Sequence, residues 1–247
     1  MQIPKKFIRP FPSYEEVFHE QIEQHKKHFL PICSINLQCV NSEWEEWLHI
    51  ISVKEIHDGC VGELTSQFHS KFTKEDMIGF DVIDGKYKFE ADWRFFEIEQ
   101  DQSEMLQEAY LNNDIDYNIR KEYYQRKGKI YPYSSFGKTF TAVEVLEDEF
   151  TKKQESGWGL SYPPVNGILD DLRFLTEEGQ KLLEDCNNEN EVFEYTNLIN
   201  VPKDETGQTF TYIGFATGYY FQAFGADRIY LFFNKELRKA VICFEYT

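Results

Sequence analysis

The sequence predicts an α+β fold with a mainly antiparallel sheet, a C-terminal β-meander, an N-terminal helix and a helical middle segment. Three patterns support this class. Apolar residues recur at helical spacing near the N-terminus and again in the middle of the chain, and four runs rich in aromatic and β-branched residues follow one another near the C-terminus. Because strands occupy both ends of the chain with helices between them, segregated α and β elements are expected.

The first predicted element is an amphipathic helix over residues 13–29. Ser13 and Glu16 form a capping box, in which the Ser13 hydroxyl accepts from the Glu16 amide while the Glu16 carboxylate reaches back to the cap. Behind this box, Tyr14, Phe18 and Ile22 recur near helical spacing. The residues therefore predict both the start of the helix and its apolar face.

Strands and a hairpin are predicted next. Strands are expected over residues 30–40, 47–56, 80–83 and 87–90. The dipeptide Asp84-Gly85 separates the last two runs and is the signal of a type I′ turn, which needs positive φ at both central residues. Alternating aromatic residues over 91–99 indicate that the second arm of this hairpin continues as a strand.

The middle of the chain is predicted to be helical in two stretches. Ser103 caps the first stretch, and Gly128 ends the second. The loop over 128–138 is the best boundary between an N-terminal α+β half, 1–128, and a C-terminal α+β half, 139–247, with one domain over 1–247 as the alternative. Residues 139–146 fit either a strand or a helix.

After residues 139–146, the C-terminal half is predicted to contain a Gly- and Pro-rich loop over 156–167 and a short helix over 176–186. Four apolar runs then cover residues 209–217, 219–224, 228–233 and 240–246. Gly218, the Gly225-Ala226-Asp227 segment and Asn234-Lys235 separate these runs. Such closely spaced runs predict an antiparallel meander.

A resemblance to a known family rests on this C-terminal part. The runs FTYIGF at 210–215 and GADRIYLFF at 225–233, with the strand 32–37 ending in Ile-Asn-Leu, resemble the YwqG-like family of bacterial cytosolic proteins. The resemblance covers roughly 40 residues and implies a mixed, β-rich fold with an internal repeat, but no reaction. A Gly-Gly-x-Pro-x-Trp segment expected of such proteins is missing. We transfer no functional residue from the family.

Composition excludes several classes of protein. The 247 residues contain 26 Lys and Arg against 43 Asp and Glu, which gives a net charge of −17, and aromatic residues make up 17%. A chain with so many aromatic residues is too apolar to be disordered. Its acidity disfavours direct binding to nucleic acid, because phosphate binding needs Lys and Arg. No apolar stretch is long enough to span a bilayer, the N-terminus lacks the features of a secretory signal, and five scattered cysteines are typical of a reduced protein. We therefore expect a cytoplasmic protein.

Four local patterns contain residue types found at sites of chemistry, and none predicts a catalytic, metal or cofactor site. His25 and His28 lie three residues apart, but Lys26 and Lys27 between them oppose a bound cation, so a solvated helix face is expected. The segment 57–60 (His-Asp-Gly-Cys) is expected to be a turn. Asn112, Asp114 and Asp116 imitate a calcium loop, but the Gly and Glu that such a loop requires are absent, so a polar break between helices is expected.

Pairs of acidic residues are the fourth pattern. The pairs are Glu97 and Glu99, Asp170 and Asp171, Glu177 and Glu178, and Asp204 and Glu205. Two carboxyl groups can catalyse glycoside hydrolysis when they flank the bond that is cleaved. A small-ligand-binding protein or a hydrolase that uses such a pair in a pocket between the halves is therefore the alternative function. No phosphate-binding loop, dinucleotide fingerprint or serine-hydrolase elbow occurs.

Net charge is the feature that these motifs leave unexplained. A charge of −17 on a folded domain attracts a cationic partner and accelerates its encounter. The sequence therefore predicts a non-enzymatic protein-binding protein, with an immunity protein that neutralises a basic toxin as the specific hypothesis. Because interface cores are rich in aromatic residues, the predicted contact residues are Trp158, Tyr162, Asp170 and Asp171 in and beyond the Gly-rich loop. Acidity that serves solubility alone is the competing explanation.

Overall fold

The computed structural model describes residues 5–39, 41–54, 61–131, 139–157, 196–222 and 224–246. Its α-helices are α1 Tyr14–Val17, α2 Ile22–His28, α3 Glu104–Lys127 and α4 Val143–Glu155. Its strands are β1 Ile8–Pro10, β2 Phe29–Asn36, β3 Trp47–Val53, β4 Met77–Ile83, β5 Lys86–Phe89, β6 Thr211–Ala216, β7 Arg228–Asn234 and β8 Lys239–Glu245. The predicted α+β class is confirmed, whereas the predicted helix over 176–186 lies outside the described residues.

Two antiparallel sheets form the framework. The smaller sheet has the order β1-β2-β3, and the larger has the order β5-β4-β8-β7-β6. Within the larger sheet, β6, β7 and β8 are consecutive neighbours, so the predicted C-terminal meander is confirmed. Because β4 pairs with β8, strands from either side of residues 128–138 belong to one sheet.

The predicted strand over 219–224 is wrong. A short 3-10 helix, Gly218–Tyr220, replaces it, and the chain folds back so that the Gly218 amide donates to the Ala226 carbonyl at 2.8 Å. The two glycines flanking this loop make the fold-back possible. A Cβ atom on Gly225 would lie 2.6 Å from the backbone carbon of Gly218, so no side chain fits there.

The larger sheet is buried on both faces around β7 and β8, which explains why these two strands are continuous apolar runs between polar ends, whereas the edge strand β5 alternates. Along β7, Ile229, Leu231 and Phe233 pack into the main core, while Tyr230 and Phe232 face a second cluster on the other side. Side chains of a strand alternate between its two faces, so a run without polar residues requires cover on both. The main core also includes the smaller sheet and the buried side of α3.

The Asp-Gly hairpin is confirmed. Asp84 and Gly85 have φ values of 50° and 75°, and Ile83 pairs with Lys86 on either side of them. The expected continuation of the strand over 91–99 is wrong, because two 3-10 helices, Trp93–Phe95 and Glu97–Glu99, follow β5. The Asp92 side chain caps the first of these helices by accepting from the Arg94 amide.

The N-terminal helix begins as predicted but is interrupted. The capping box of Ser13 and Glu16 is present, yet α1 ends at Val17 and α2 begins only after Gln21, whose φ is 50°. Between the two helices, the His19 amide donates to the Tyr87 carbonyl at 3.0 Å. The interruption therefore covers the edge strand β5, whose backbone would otherwise lack a partner on that side.

Candidate functional site

The contact residues that the sequence predicted, Trp158, Tyr162, Asp170 and Asp171, lie outside the described residues, as does the segment 57–60. These predictions stay predictions. Within the described chain, the cysteine side chains of Cys33 and Cys243 are free and buried. The described structure also presents exposed acidic residues elsewhere, on helix α3.

Helix α3 carries an acidic and apolar exposed face. Between Arg94 and Arg120 the chain has seven acidic residues and no Lys or Arg. Glu104, Glu108 and Leu111 follow one another at helical spacing and are exposed, and Met105 lies beside them. The exposed fractions of Met105 and Leu111 are 67% and 57%, which is high for large apolar side chains. We call Glu104, Met105, Glu108 and Leu111 the α3 surface.

The opposite side of α3 fixes this surface in place. Leu106, Tyr110 and Tyr117 are buried in the main core, and the Tyr117 hydroxyl donates to the Pro31 carbonyl at 2.6 Å. Gly128, with a φ of 67°, ends the helix as predicted. The apolar side chains of the α3 surface are therefore additional to those that hold the helix to the core.

The predicted polar break at Asn112, Asp114 and Asp116 is wrong, because α3 runs through these residues without interruption for 24 residues. Both acidic residues of this set have ionic partners. Asp114 pairs with Lys54 at 2.7 Å, and Asp116 pairs with Arg120, one turn later, at 2.7 Å. These partners stabilise carboxylates that would otherwise disfavour the helix interior.

His25 and His28 are buried, so the predicted solvated helix face is wrong. Nε2 of His25 accepts from the Phe89 amide at 3.1 Å, and Nδ1 lies 3.1 Å from the Gln21 carbonyl. Because the amide can only donate, the proton of His25 is on Nδ1. His25 thereby supplies a hydrogen-bond acceptor to the edge strand β5.

His28 forms hydrogen bonds with both a carboxylate and a tyrosine. Its Nε2 lies 2.7 Å from Oε1 of Glu99, and its Nδ1 lies 3.3 Å from the hydroxyl of Tyr110. Burial lowers the pKa of His28 to about 3, although Glu99 acts in the opposite direction. The imidazole is therefore neutral, donates to Glu99 through Nε2 and accepts from Tyr110 through Nδ1. Its ring stacks on Phe96 with the centroids 4.1 Å apart.

A further buried polar pair, Ser34 and His49, is not predictable from the sequence. The Ser34 hydroxyl and Nδ1 of His49 are 2.8 Å apart, and Nε2 of His49 lies 3.0 Å from the Gly85 carbonyl. Since the carbonyl only accepts, Nε2 carries the proton and Ser34 donates to Nδ1. Both side chains are buried, so the pair satisfies the polar groups of neighbouring strands and leaves no access for a substrate.

Acidification is expected to destabilise the protein through these neutral histidines. The pKa values of His28 and His49 are lowered by burial to about 3 and about 4, whereas an unfolded histidine titrates near 6.5. Below pH 6.5 the unfolded state therefore binds protons that the folded state does not, and stability falls as the pH falls. The expected loss is about 2 kcal/mol for each of these histidines at pH 5.

Urea unfolding of the wild type and of His49→Gln, each at pH 7.5 and pH 5, measures this loss. Glutamine keeps one donor and one acceptor for Gly85 and Ser34 but does not titrate. We expect the variant to lose about 2 kcal/mol less than the wild type on acidification. An equal loss in both proteins would refute a neutral, buried His49.

Two described members of the acidic pairs, Glu99 and Asp204, are held by hydrogen bonds. Oε1 of Glu99 accepts from Gln24 and Lys27 as well as from His28, while Asp204 accepts from the amides of Thr206 and Gln208 within its own turn. Asp170, Asp171, Glu177 and Glu178 lie outside the described residues. Among the residues that the structure does describe, no group of three or more His, Cys, Asp or Glu is arranged to hold a metal ion.

None of the described helices has the length and apolar character needed to cross a lipid bilayer. Comparison of the chain with protein-family models, with curated proteins and with solved structures finds no match. The candidate site is therefore defined by its own geometry, which is that of the α3 surface, where two exposed carboxylates lie beside exposed Met105 and Leu111.

Proposed function

We propose that the chain is a non-enzymatic, cytoplasmic protein-binding protein whose partner presents a basic surface. An immunity protein that neutralises a basic toxin is the specific form of this proposal. The observation that carries it is the α3 surface, where two exposed carboxylates flank exposed Met105 and Leu111 within a stretch that has no Lys or Arg. Acidity that served solubility alone would not require large apolar side chains at the same place.

The two components of the α3 surface have different roles in binding. Exposed apolar side chains lose contact with water in an interface and supply much of its affinity. The carboxylates of Glu104 and Glu108 attract and orient a cationic surface, and their exclusion of acidic partners adds specificity. Neither carboxylate has an ion-pair partner in the described part of the chain, so both are available to a partner.

Neutralising the α3 surface tests the proposal. The double variant Glu104→Gln/Glu108→Gln is expected to weaken binding of the partner captured from the native host by about tenfold at low salt. The matched control is Glu43→Gln/Glu45→Gln, which removes two exposed carboxylates from the loop between β2 and β3 and changes the net charge equally. Affinities are measured by titration calorimetry with the intact chain.

The control decides between a local surface and net charge. If both double variants weaken binding equally, total charge alone explains the attraction and the α3 surface is not the contact. If neither variant weakens binding, the partner binds elsewhere. The alternative function is a hydrolase or small-ligand binder that uses paired carboxylates. In that case a small molecule would be cleaved or bound, and neither activity would depend on Glu104 or Glu108.

A further inference from the structure

A tight turn precedes strand β4 and has Glu75 and Asp76 at its tip. Two backbone hydrogen bonds between Lys74 and Met77, both 2.8 Å long, close the turn. Asp76 has a φ of 52°, and a positive φ at the second central residue is typical of such tight turns. The backbone of the tip therefore points its remaining hydrogen-bonding groups away from the turn and towards other parts of the chain.

Three distant parts of the chain are bonded to this tip. The Asp76 amide donates to the Val61 carbonyl at 2.9 Å, and the Phe244 amide of β8 donates to the Asp76 carbonyl at 2.9 Å. Nδ2 of Asn200 donates to the Glu75 carbonyl at 2.8 Å. Because these bonds are few and lie at the end of a turn, local opening of the tip costs less than the unfolding of either sheet.

The side chain of Asp76 makes the closed tip sensitive to charge. Asp76 is 4% exposed, and its Oδ1 is buried without a hydrogen-bond partner among the described residues. A protonated carboxyl group is tolerated in such a place, whereas a carboxylate ion without a partner is costly to bury. The closed tip therefore requires the protonated form of Asp76.

The titratable groups that face Asp76 do not stabilise its charged form. Glu75 on the same turn and Glu63 on a neighbouring 3-10 helix are carboxylates, which repel a further negative charge. The thiol of Cys243 on β8 is buried and neutral, and Lys74, which lies near this thiol, forms no ion pair with Asp76 in the described chain. Burial, with a smaller contribution from the two carboxylates, raises the pKa of Asp76 to about 7.

We propose that the tip of this turn is a pH-sensitive latch, which opens when Asp76 loses its proton and releases the three parts of the chain bonded to it. Opening brings the carboxylate into water and removes the cost of burying it. Asn200 belongs to the segment 196–203, whose Leu198 and Val201 pack on the second cluster of the larger sheet. Opening therefore loosens the cover of that face. The latch uses no residue of the α3 surface, so it does not depend on the proposed function.

The two pKa values of Asp76 determine how opening depends on pH. In the open turn the carboxyl group has its ordinary pKa of 3.8, and in the closed turn its pKa is about 7. Because the closed form keeps a proton that the open form releases, raising the pH favours opening. Between these two pKa values the ratio of open to closed molecules increases about tenfold for each pH unit, and above about pH 7 it levels off.

Hydrogen exchange of the ¹⁵N-labelled full chain measures this ratio. The amides of Asp76 and Phe244 are bonded across the tip, so they exchange when the tip opens, and dividing their rates by the intrinsic rates at each pH gives the opening ratio. Between pH 5 and pH 6.5 we expect this ratio to rise about tenfold for each pH unit at both amides. The reference is the His19 amide, which is bonded to β5 and is expected not to follow this rise.

Two variants identify the titrating group. Asp76→Asn cannot ionise and is expected to abolish the pH dependence at the Phe244 amide. The matched control is Asp84→Asn, since Asp84 lies at the tip of the β4–β5 hairpin with a φ of 50° but is exposed, and this variant is expected to keep the dependence of the wild type. A constant opening ratio in the wild type, or an equal rise in Asp76→Asn, would overturn the latch. An equal rise at the His19 amide would also overturn it, because the whole protein would then unfold rather than the tip.

Discussion

Replacing Arg120 with methionine is expected to lower the free energy of unfolding by about 3–5 kcal/mol. Arg120 and Asp116 are both completely buried, with Nε of Arg120 2.7 Å from Oδ2 of Asp116. Arg120 also donates to the Tyr220 carbonyl at 3.1 Å, so it links α3 to the loop after β6. Methionine fills part of the space but leaves the Asp116 carboxylate buried without its counter-ion. Chemical denaturation by urea measures the loss.

Two further variants show whether the loss comes from the unpaired charge. Removing both charges in Asp116→Leu/Arg120→Met is expected to restore much of the stability, since apolar replacement of a whole buried pair is often close to neutral. Arg126→Met, which breaks exposed ion pairs to Glu122 on α3 and to Glu144 on α4, is expected to cause no measurable loss. A double variant that is less stable than Arg120→Met would contradict this explanation.

Replacing Asp76 with asparagine is expected to stabilise the protein by about 2–4 kcal/mol at pH 8. Asp76 is only 4% exposed, and its Oδ1 is buried without a hydrogen-bond partner among the described residues. Burial, with a smaller contribution from Glu75 and Glu63, raises the pKa of Asp76 to about 7. Its φ is 52°, a left-handed conformation that asparagine tolerates well. The substitution thus removes a buried charge and keeps the backbone.

The pH dependence of this stabilisation has a definite sign. The folded state keeps the Asp76 proton up to about pH 7, whereas the unfolded state releases it near its ordinary pKa of 3.8. Folding therefore takes up a proton between these pH values, and the wild type loses stability relative to Asp76→Asn by about 1.4 kcal/mol for each pH unit on raising the pH. Urea unfolding of both proteins at pH 4.5, 6 and 8 measures the difference. A difference that is constant with pH would contradict a buried, protonated Asp76.

Sequence patterns predict those elements that are determined by residues close together in the chain. The capping box at Ser13, the Asp84-Gly85 turn and the three meander strands depend on residues within a few positions of one another. The errors have distant causes. Residues 18–21 leave the helix to cover β5, whose Tyr87 is far along the chain, and the loop after Gly218 closes through Gly225. Helical or strand periodicity in the sequence does not predict contacts between residues that are far apart in the chain.

For the candidate site, too, local features are predictable from the sequence and tertiary contacts are not. The absence of Lys and Arg between Arg94 and Arg120 is visible in the sequence and could have drawn attention to this segment. That Glu104 and Leu111 face solvent, however, depends on which side of α3 packs on the core. The partners of His28 could not be predicted, because Glu99 and Tyr110 are 71 and 82 residues away in the chain. Only the tertiary structure brings them together.

In the proposed complex, complementary charge holds a basic partner on an acidic surface of this protein. The dissociation constant of the complex between the intact chain and the captured partner, measured at sodium chloride concentrations from about 50 mM to about 500 mM, tests this attraction. We expect an affinity that falls steadily as salt is added and falls less steeply for Glu104→Gln/Glu108→Gln. A dissociation constant that stays the same across this range would refute binding by complementary charge.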